Sequence, residues 1–233
     1  MKLAKRIIAI LLLATLCFTM TACATGSSAD VLGVTYPTTP LDTASGGSAA
    51  QSDDAIAAGE VYRNEYFNFT CNLSDEWYVL NQDELAQALG ITYDALGDGT
   101  AGKIVQGSFE SGATQMDFYA VNIDNGETIN IILSKEKFVE HLLNNQMLLK
   151  ASIPLLNSGL EDMGATNISS DTKELTFMGD QHLALIVHAD YQGKTMQETI
   201  FILREDGYQA SITITDMTGS PAQDYLDYFQ VID

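Results

Sequence analysis

Between Asn167 and Thr215 the chain offers five runs rich in β-branched and aromatic residues: Asn167–Ser170, Glu174–Met178, His182–His188, Thr195–Leu203 and Tyr208–Thr215. The last three are separated by Gln192-Gly193 and Asp206-Gly207, pairs suited to tight hairpin turns. Consecutive strands joined this closely pair antiparallel, since a parallel pair needs a crossover of a dozen or more residues. An earlier pair, Met116–Ile123 and Thr128–Leu133, is joined by Asp124-Asn125-Gly126-Glu127, whose Asn-Gly step favours another hairpin. Antiparallel pairing thus constrains the architecture more than any other feature.

The remaining elements are expected to flank this sheet. Phe67, Phe69, Cys71 and Leu73 alternate within Tyr66–Leu73, the period of a half-buried strand. After the polar Ser74-Asp75-Glu76 turn, Trp77–Leu80 reads as a second strand hairpinned to the first. Asn81 with Glu84 forms a capping box opening a helix QDELAQAL, which Gly90 can close. Ile91–Ala113 is rich in glycine and reads as mostly loop. Ser134 can cap a long helix beginning KEKFVEHLL, in which Phe138, Leu142, Leu149, Ile153, Leu156 and Leu160 recur at helical spacings and Pro154 imposes a kink. Ser220-Pro221-Ala222-Gln223 opens a terminal helix that would bury Tyr225, Leu226 and Phe229. Residues 60–233 are accordingly expected to form one α+β domain, an antiparallel sheet flanked by helices.

The opening Tyr62-Arg63-Asn64-Glu65-Tyr66-Phe67-Asn68-Phe69, followed by a polar turn before Trp77, resembles the start of the PsbP-like fold, with Glu76 where that family commonly has Gly. The resemblance implies an α/β/α sandwich and a role in binding proteins rather than in catalysis.

Upstream, MKLAKR and the apolar IIAILLLATLCFTM form an export signal too short to span a bilayer comfortably. Met20-Thr21-Ala22-Cys23 resembles the lipobox of bacterial lipoproteins, with Met20 where Leu is usual. The resemblance implies that residues 1–22 are removed, that Cys23 receives a diacylglyceryl thioether, and that the new amino terminus is acylated as well. Two or three chains anchor stably, because each buried methylene contributes about 0.8 kcal/mol. Residues 23–59 are rich in Ser, Thr, Gly, Ala and Asp and carry no Lys or Arg, the composition of a flexible tether.

Charge and cysteine content narrow the function. Lys2, Lys5 and Arg6 leave with the signal, so 8 of the 11 basic residues face all 31 acidic ones, a net charge of −23. Phosphate backbones are bound by Lys and Arg that displace counterions, so a nucleic-acid partner is excluded. Processing leaves Cys71 as the remaining free thiol, which reads as a small buried hydrophobe.

Candidate chemistry is sparse. Gly97-Asp98-Gly99-Thr100-Ala101-Gly102-Lys103 approaches a phosphate-binding loop, but Ile104 follows the lysine where Ser or Thr must reach the metal ion, so no nucleotide is expected. Ser134-Lys135-Glu136-Lys137 fits the S-x-x-K pattern of penicillin-recognising serine enzymes without its companion motifs, and helix capping is the preferred role for Ser134. His182 and His188, six residues apart on one strand, would lie about 20 Å apart, too far to share a metal, and His141 has no i+4 histidine. The Asp124–Glu127 stretch offers oxygen ligands for calcium but reads better as a turn. Tyr62, Arg63 and Trp77 are of the types enriched at binding hot spots and form a candidate binding surface, although the same types close the edge of a core. No catalytic residue, metal ligand or cofactor is assigned.

The expectation is therefore an exported lipoprotein, anchored to the membrane through Cys23, that serves as a non-catalytic binding or accessory module with an envelope protein as partner. An extracytoplasmic hydrolase using carboxylates or Ser134, and a small-solute- or cation-binding lipoprotein, are the alternatives.

Overall fold

A computed structural model describes residues 61–96, 100–136, 140, 142–218 and 223–232. The strands are β1 Val61–Asn64, β2 Phe69–Asn72, β3 Trp77–Val79, β4 Thr114–Asn122, β5 Thr128–Lys135, β6 Thr166–Phe177, β7 Asp180–Tyr191, β8 Lys194–Glu205, β9 Tyr208–Asp216 and β10 Phe229–Val231. The helices are α1 Gln82–Leu96, α2 Thr100–Glu110, α3 Asn145–Asp162 and the short α4 Gln223–Leu226. Seven strands form one sheet in the order β3-β4-β5-β9-β8-β7-β6, and β1-β2-β10 form a second. Every strand pairing is antiparallel.

The turns follow from local chemistry. The three two-residue connections of the β6–β9 meander have positive φ at both positions: Met178-Gly179 (53° and 88°), Gln192-Gly193 (49° and 79°) and Asp206-Gly207 (43° and 82°). Such turns match the right-handed twist of the strands they join. A Cβ on Gly193 would meet nothing within 4 Å, so a substitution there is opposed by backbone conformation and not by packing. Gly193→Ala is expected to cost about 1 kcal/mol and Gly193→Asn less, because asparagine tolerates the left-handed region. Urea midpoints compared at constant slope would measure both.

The α/β/α sandwich and the PsbP-like layering are overturned: the protein is mostly β, and among the described residues the three longer helices lie on one face of the main sheet. Alternate strand residues enter two cores. Met116, Tyr119, Ile132, Leu185, Val187, Ile200 and Ile202 pack with Leu85 and Ala88 of α1, Val105 of α2 and Leu148, Leu149, Leu156 and Leu160 of α3. Phe118, Ile129, Ile131, Leu133, Phe201, Ile212 and Ile214 pack on the other face with Phe69 and Cys71 of β2, Phe229 of β10, and Tyr225 and Leu226 of α4. A second small sheet thus stands where the sandwich would have helices. Its third strand comes from the carboxyl-terminal segment: Phe229, expected on a helix, pairs with Cys71.

Several local expectations change for the same non-local reasons. The strand beginning at Trp77 pairs with β4 and not with the first hairpin. β5 runs on to Lys135 because Ser134 pairs with Thr114 on one side and Gln209 on the other, so Ser134 caps no helix. Asn144 caps α3 instead, its Oδ1 accepting from Met147 N at 2.9 Å. Pro154 lies within α3 without ending it, on the solvent side beside the exposed Lys150 whose carbonyl loses a donor. The expected loop 91–113 contains helix: α1 passes through Gly90, and α2 follows with Val105 buried and Ile104 and Phe109 packed against the core. Each interior glycine costs about 1 kcal/mol, which such burial offsets.

Other expectations stand. Asn81 and Glu84 exchange both capping-box bonds at 3.0 Å. The Asp124–Glu127 stretch is a turn, in which Asn122 Oδ1 accepts from Asp124 N at 3.0 Å and Asn125 Oδ1 from Glu127 N at 2.9 Å. No helix among the described residues is long and apolar enough to cross a membrane.

Candidate functional site

Tyr62 and Trp77 lie inside the molecule, each 2% exposed, while Arg63 points into solvent. The Tyr62 hydroxyl donates to Asp117 Oδ2 and accepts from Asn64 Nδ2 at 3.1 Å. Asp117 lies where a bulge shifts the β4–β5 register between Met116 and Phe118. Burial first, and then the neighbouring Asp117, hold the Tyr62 phenol well above its ordinary pKa. Tyr62 therefore ties the small sheet to the large one. Trp77 packs edge-on against Tyr228 with ring centroids 5.9 Å apart. Arg63 makes an exposed ion pair with Glu65 at 3.1 Å, a contact of little energetic weight. The three candidate residues do not converge on one accessible surface.

The remaining sequence candidates are dispersed. Cys23 and its signal, the tether, Gly97–Gly99, Lys137, His141 and Ser220 lie outside the described residues. Thr100–Lys103 form the start of α2. Ser134 is buried in mid-sheet. His182 is partly buried against Phe177, at 5.7 Å between rings, and burial lowers its pKa against the opposing pull of Asp180. His188 is exposed on the same strand. Cys71 is wholly buried, and burial pushes its thiol far up, which suppresses the reactive thiolate. Among the described residues no group of three His, Cys, Asp or Glu is arranged to hold a metal ion.

The unusual chemistry lies under the helices. β9 reads Tyr208-Gln209-Ala210-Ser211-Ile212-Thr213-Ile214-Thr215-Asp216, and all nine residues are buried. Its apolar residues face the small sheet, so Ser211, Thr213 and Thr215 face the helices. Directly opposite them, Thr128 and Asn130 of β5 face Thr215 and Thr213. Glu198 of β8 completes a cross-strand row Thr128–Thr215–Glu198, flanked by Val121 of β4 and Val187 of β7. In the next row Tyr119 lies beside Asn130. The helices make their main contacts on the flanks, α2 on β4 and α3 on β6 and β7, on either side of the strands that carry these rows.

Glu198 is fully buried, and neither carboxyl oxygen has a hydrogen-bond partner among the described residues. The hydroxyls of Ser211, Thr213 and Thr215 are likewise buried without a partner there. Burial alone pushes the Glu198 carboxyl up to about 8, so it is largely protonated at neutral pH. Tyr119 is also driven up by burial, with Thr128 near enough to offset part of the effect. Neutral buried hydroxyls without partners cost about 1–3 kcal/mol each, and native interiors meet such groups with water or a ligand. This cluster escaped the sequence reading because alternation of small polar and apolar residues signals a strand with one solvated face. The available hint was Glu198, an acidic residue within the apolar and β-branched run Thr195–Leu203.

The fold and this interior define a mostly-β, antiparallel two-sheet protein with a sequestered, acceptor-rich polar row. No protein-family model and no curated protein matches the chain. Solved structures similar over part of it include the following three. A protein from Bacteroides thetaiotaomicron VPI-5482 matches with TM-score 0.36 and 9% identity over 71% of this chain, which spans 46% of that protein's length. LpqN of Mycobacterium tuberculosis, described as involved in cell envelope biogenesis, matches with TM-score 0.37 and 11% identity over 77% of this chain and 90% of LpqN. PA94 of Pseudomonas aeruginosa, a protein of unknown function, matches with TM-score 0.25 and 9% identity over 44% of this chain and 65% of PA94. Likenesses of this degree carry no inference about function.

Proposed function

We propose that the protein is exported and held by lipid on Cys23 at the outer face of a bacterial cell membrane, or at the outer membrane where the envelope has one. Residues 60–233 act there as a non-catalytic binding or accessory module. The observation that carries this reading is Met20-Thr21-Ala22-Cys23, placed directly after a basic stretch and an apolar run. The tether allows the domain to stand off the lipid and meet an envelope protein within the reach of a coil.

In producing cells the protein is expected to sediment with membranes and to incorporate labelled palmitate, and Cys23→Ala is expected to abolish the label and retain the uncut signal. Crosslinking followed by mass spectrometry would then identify the protein enriched with the anchored form. A wild-type chain without label would overturn the anchor, and an active hydrolase in the purified protein would overturn the non-catalytic assignment.

A further inference from the structure

We infer that the interior row of Thr128, Thr215 and Glu198 binds a compact monovalent cation, an alkali metal ion or ammonium. Thr128 and Glu198 lie directly opposite Thr215 on its two neighbouring strands, and all three project from the helix-facing side of the sheet. Adjacent strands lie about 4.8 Å apart, so the three oxygen-bearing groups border one small volume. Thr213, two residues along β9 on the same face, adds a third hydroxyl. These are hard oxygen donors, the kind that hard cations prefer.

The charge of the guest follows from what surrounds Glu198. Among the described residues the titratable groups sharing its face include Tyr78 on β3, whose hydroxyl donates to Glu84 of α1 at 2.6 Å, Tyr119 on β4, Glu174 at the exposed outer strand β6, Tyr191 on β7 and Arg204 on β8. Arg204 lies six residues along the strand, about 20 Å away, and its guanidinium is occupied by Glu136 and by the carbonyls of Leu143 and Glu140. Among the described residues of the helices, those buried inward are Leu85, Ala88, Val105, Leu148, Leu149, Ser152, Leu156 and Leu160, none of which titrates. A single carboxylate therefore balances a single positive charge, whereas a divalent ion would leave net charge buried. An anion would find no cationic partner in this volume. Full burial of the row favours a small guest, and the acidity of the whole chain raises the local concentration of cations. Binding replaces the carboxyl proton of Glu198 with the cation and releases that proton to solvent, so the buried site stays neutral.

The site stands independently of the membrane anchor. The test is thermal unfolding of the full chain in detergent at pH 7 in sodium, potassium or ammonium chloride, each against choline chloride at equal ionic strength. At ten times Kd the rise over choline is expected to be roughly 3–6 °C. Calorimetry in buffers of different ionisation enthalpy is expected to show release of nearly one proton per cation. Glu198→Gln should remove the cation-specific rise, Thr215→Val should weaken it, and the exposed control Asp171→Asn should retain it. Equal unfolding temperatures in all four salts would overturn the proposal and leave water as the partner of these groups, as would a rise that persists in Glu198→Gln. If Glu198→Gln fails to fold, the choline comparison and Thr215→Val still decide. Retention of the rise in Cys23→Ala would separate this site from the fate of the lipoprotein reading.

Discussion

Measured in choline buffers, Glu198→Gln is expected to stabilise the protein by several kcal/mol at pH 8.5 and to change its stability little near pH 4. Burial holds the Glu198 carboxyl at about 8 in the folded chain, against an ordinary value of 4.5. Below about pH 4.5 both folded and unfolded chains carry the proton, and burial of the charge costs nothing. As pH rises from 4.5 to 8 the unfolded chain releases the proton while the folded chain keeps it, so the stability contributed by this residue falls through that window. Above 8 both forms are ionised and the loss is complete. Each tenfold difference in proton affinity between the two chains is worth about 1.4 kcal/mol, which brings the total to the order of 5 kcal/mol. Glutamine keeps the size of the side chain and does not titrate, so the difference between variant and wild type should grow with pH and level off above 8. Urea unfolding at half-unit intervals of pH would trace it. A flat difference would mean that Glu198 ionises in the folded chain near its ordinary value.

Arg204→Ala is expected to destabilise the fold by about 3 kcal/mol, a fall in Tm of roughly 6–12 °C for a domain of this size. The Arg204 guanidinium donates through Nε to Glu136, through one terminal nitrogen to the Leu143 carbonyl at 2.6 Å, and through the other to the Glu140 carbonyl at 2.9 Å. These contacts pin the connection that leads from β5 into α3. Glu136 is 3% exposed at its side chain, so removing the cation leaves a carboxylate in a poorly solvated position and two carbonyls without their donor. Arg204→Lys should recover only part of the loss, because a point charge cannot reproduce the planar fork that serves three acceptors. A cost below 1 kcal/mol for the alanine variant, from urea curves of unchanged slope, would show that the connection is held by other contacts.

The two effects have opposite signs because the environments differ. Glu136 is bonded to the Arg204 guanidinium; Glu198 has hydroxyls but no cation among the described residues and is held neutral by burial. Both are single glutamates in the sequence, and spacing along the chain does not distinguish them. Glu136 meets Arg204 across 68 residues, and Glu198 meets Thr215 and Thr128 by strand pairing.

What was legible in the sequence was local. Asn81 and Glu84 form their capping box because both bonds close within four residues. Gln192-Gly193 and Asp206-Gly207 turn as expected because positive φ at a glycine is a property of that residue. The export signal and Met20–Cys23 are likewise read from adjacent residues. Runs of β-branched and aromatic residues bounded by hairpin pairs identified β4, β5, β7, β8 and β9 as strands.

Tertiary structure alone decided which strands neighbour each other and what covers each face. Trp77 could have paired with the first hairpin, but its strand joins β4 at the edge of the large sheet. Phe229 could have completed a helix, but an edge of β2 was available to pair. Alternation in β9 says that its two faces differ in polarity, and only the packing of α1, α2 and α3 determines that the polar face is shielded from water as well. That covering turns Ser211, Thr213, Thr215 and Glu198 from an ordinary solvated surface into a buried row of hydrogen-bonding groups, because the cost of leaving a polar atom without a partner depends on its distance from solvent and not on its place in the chain.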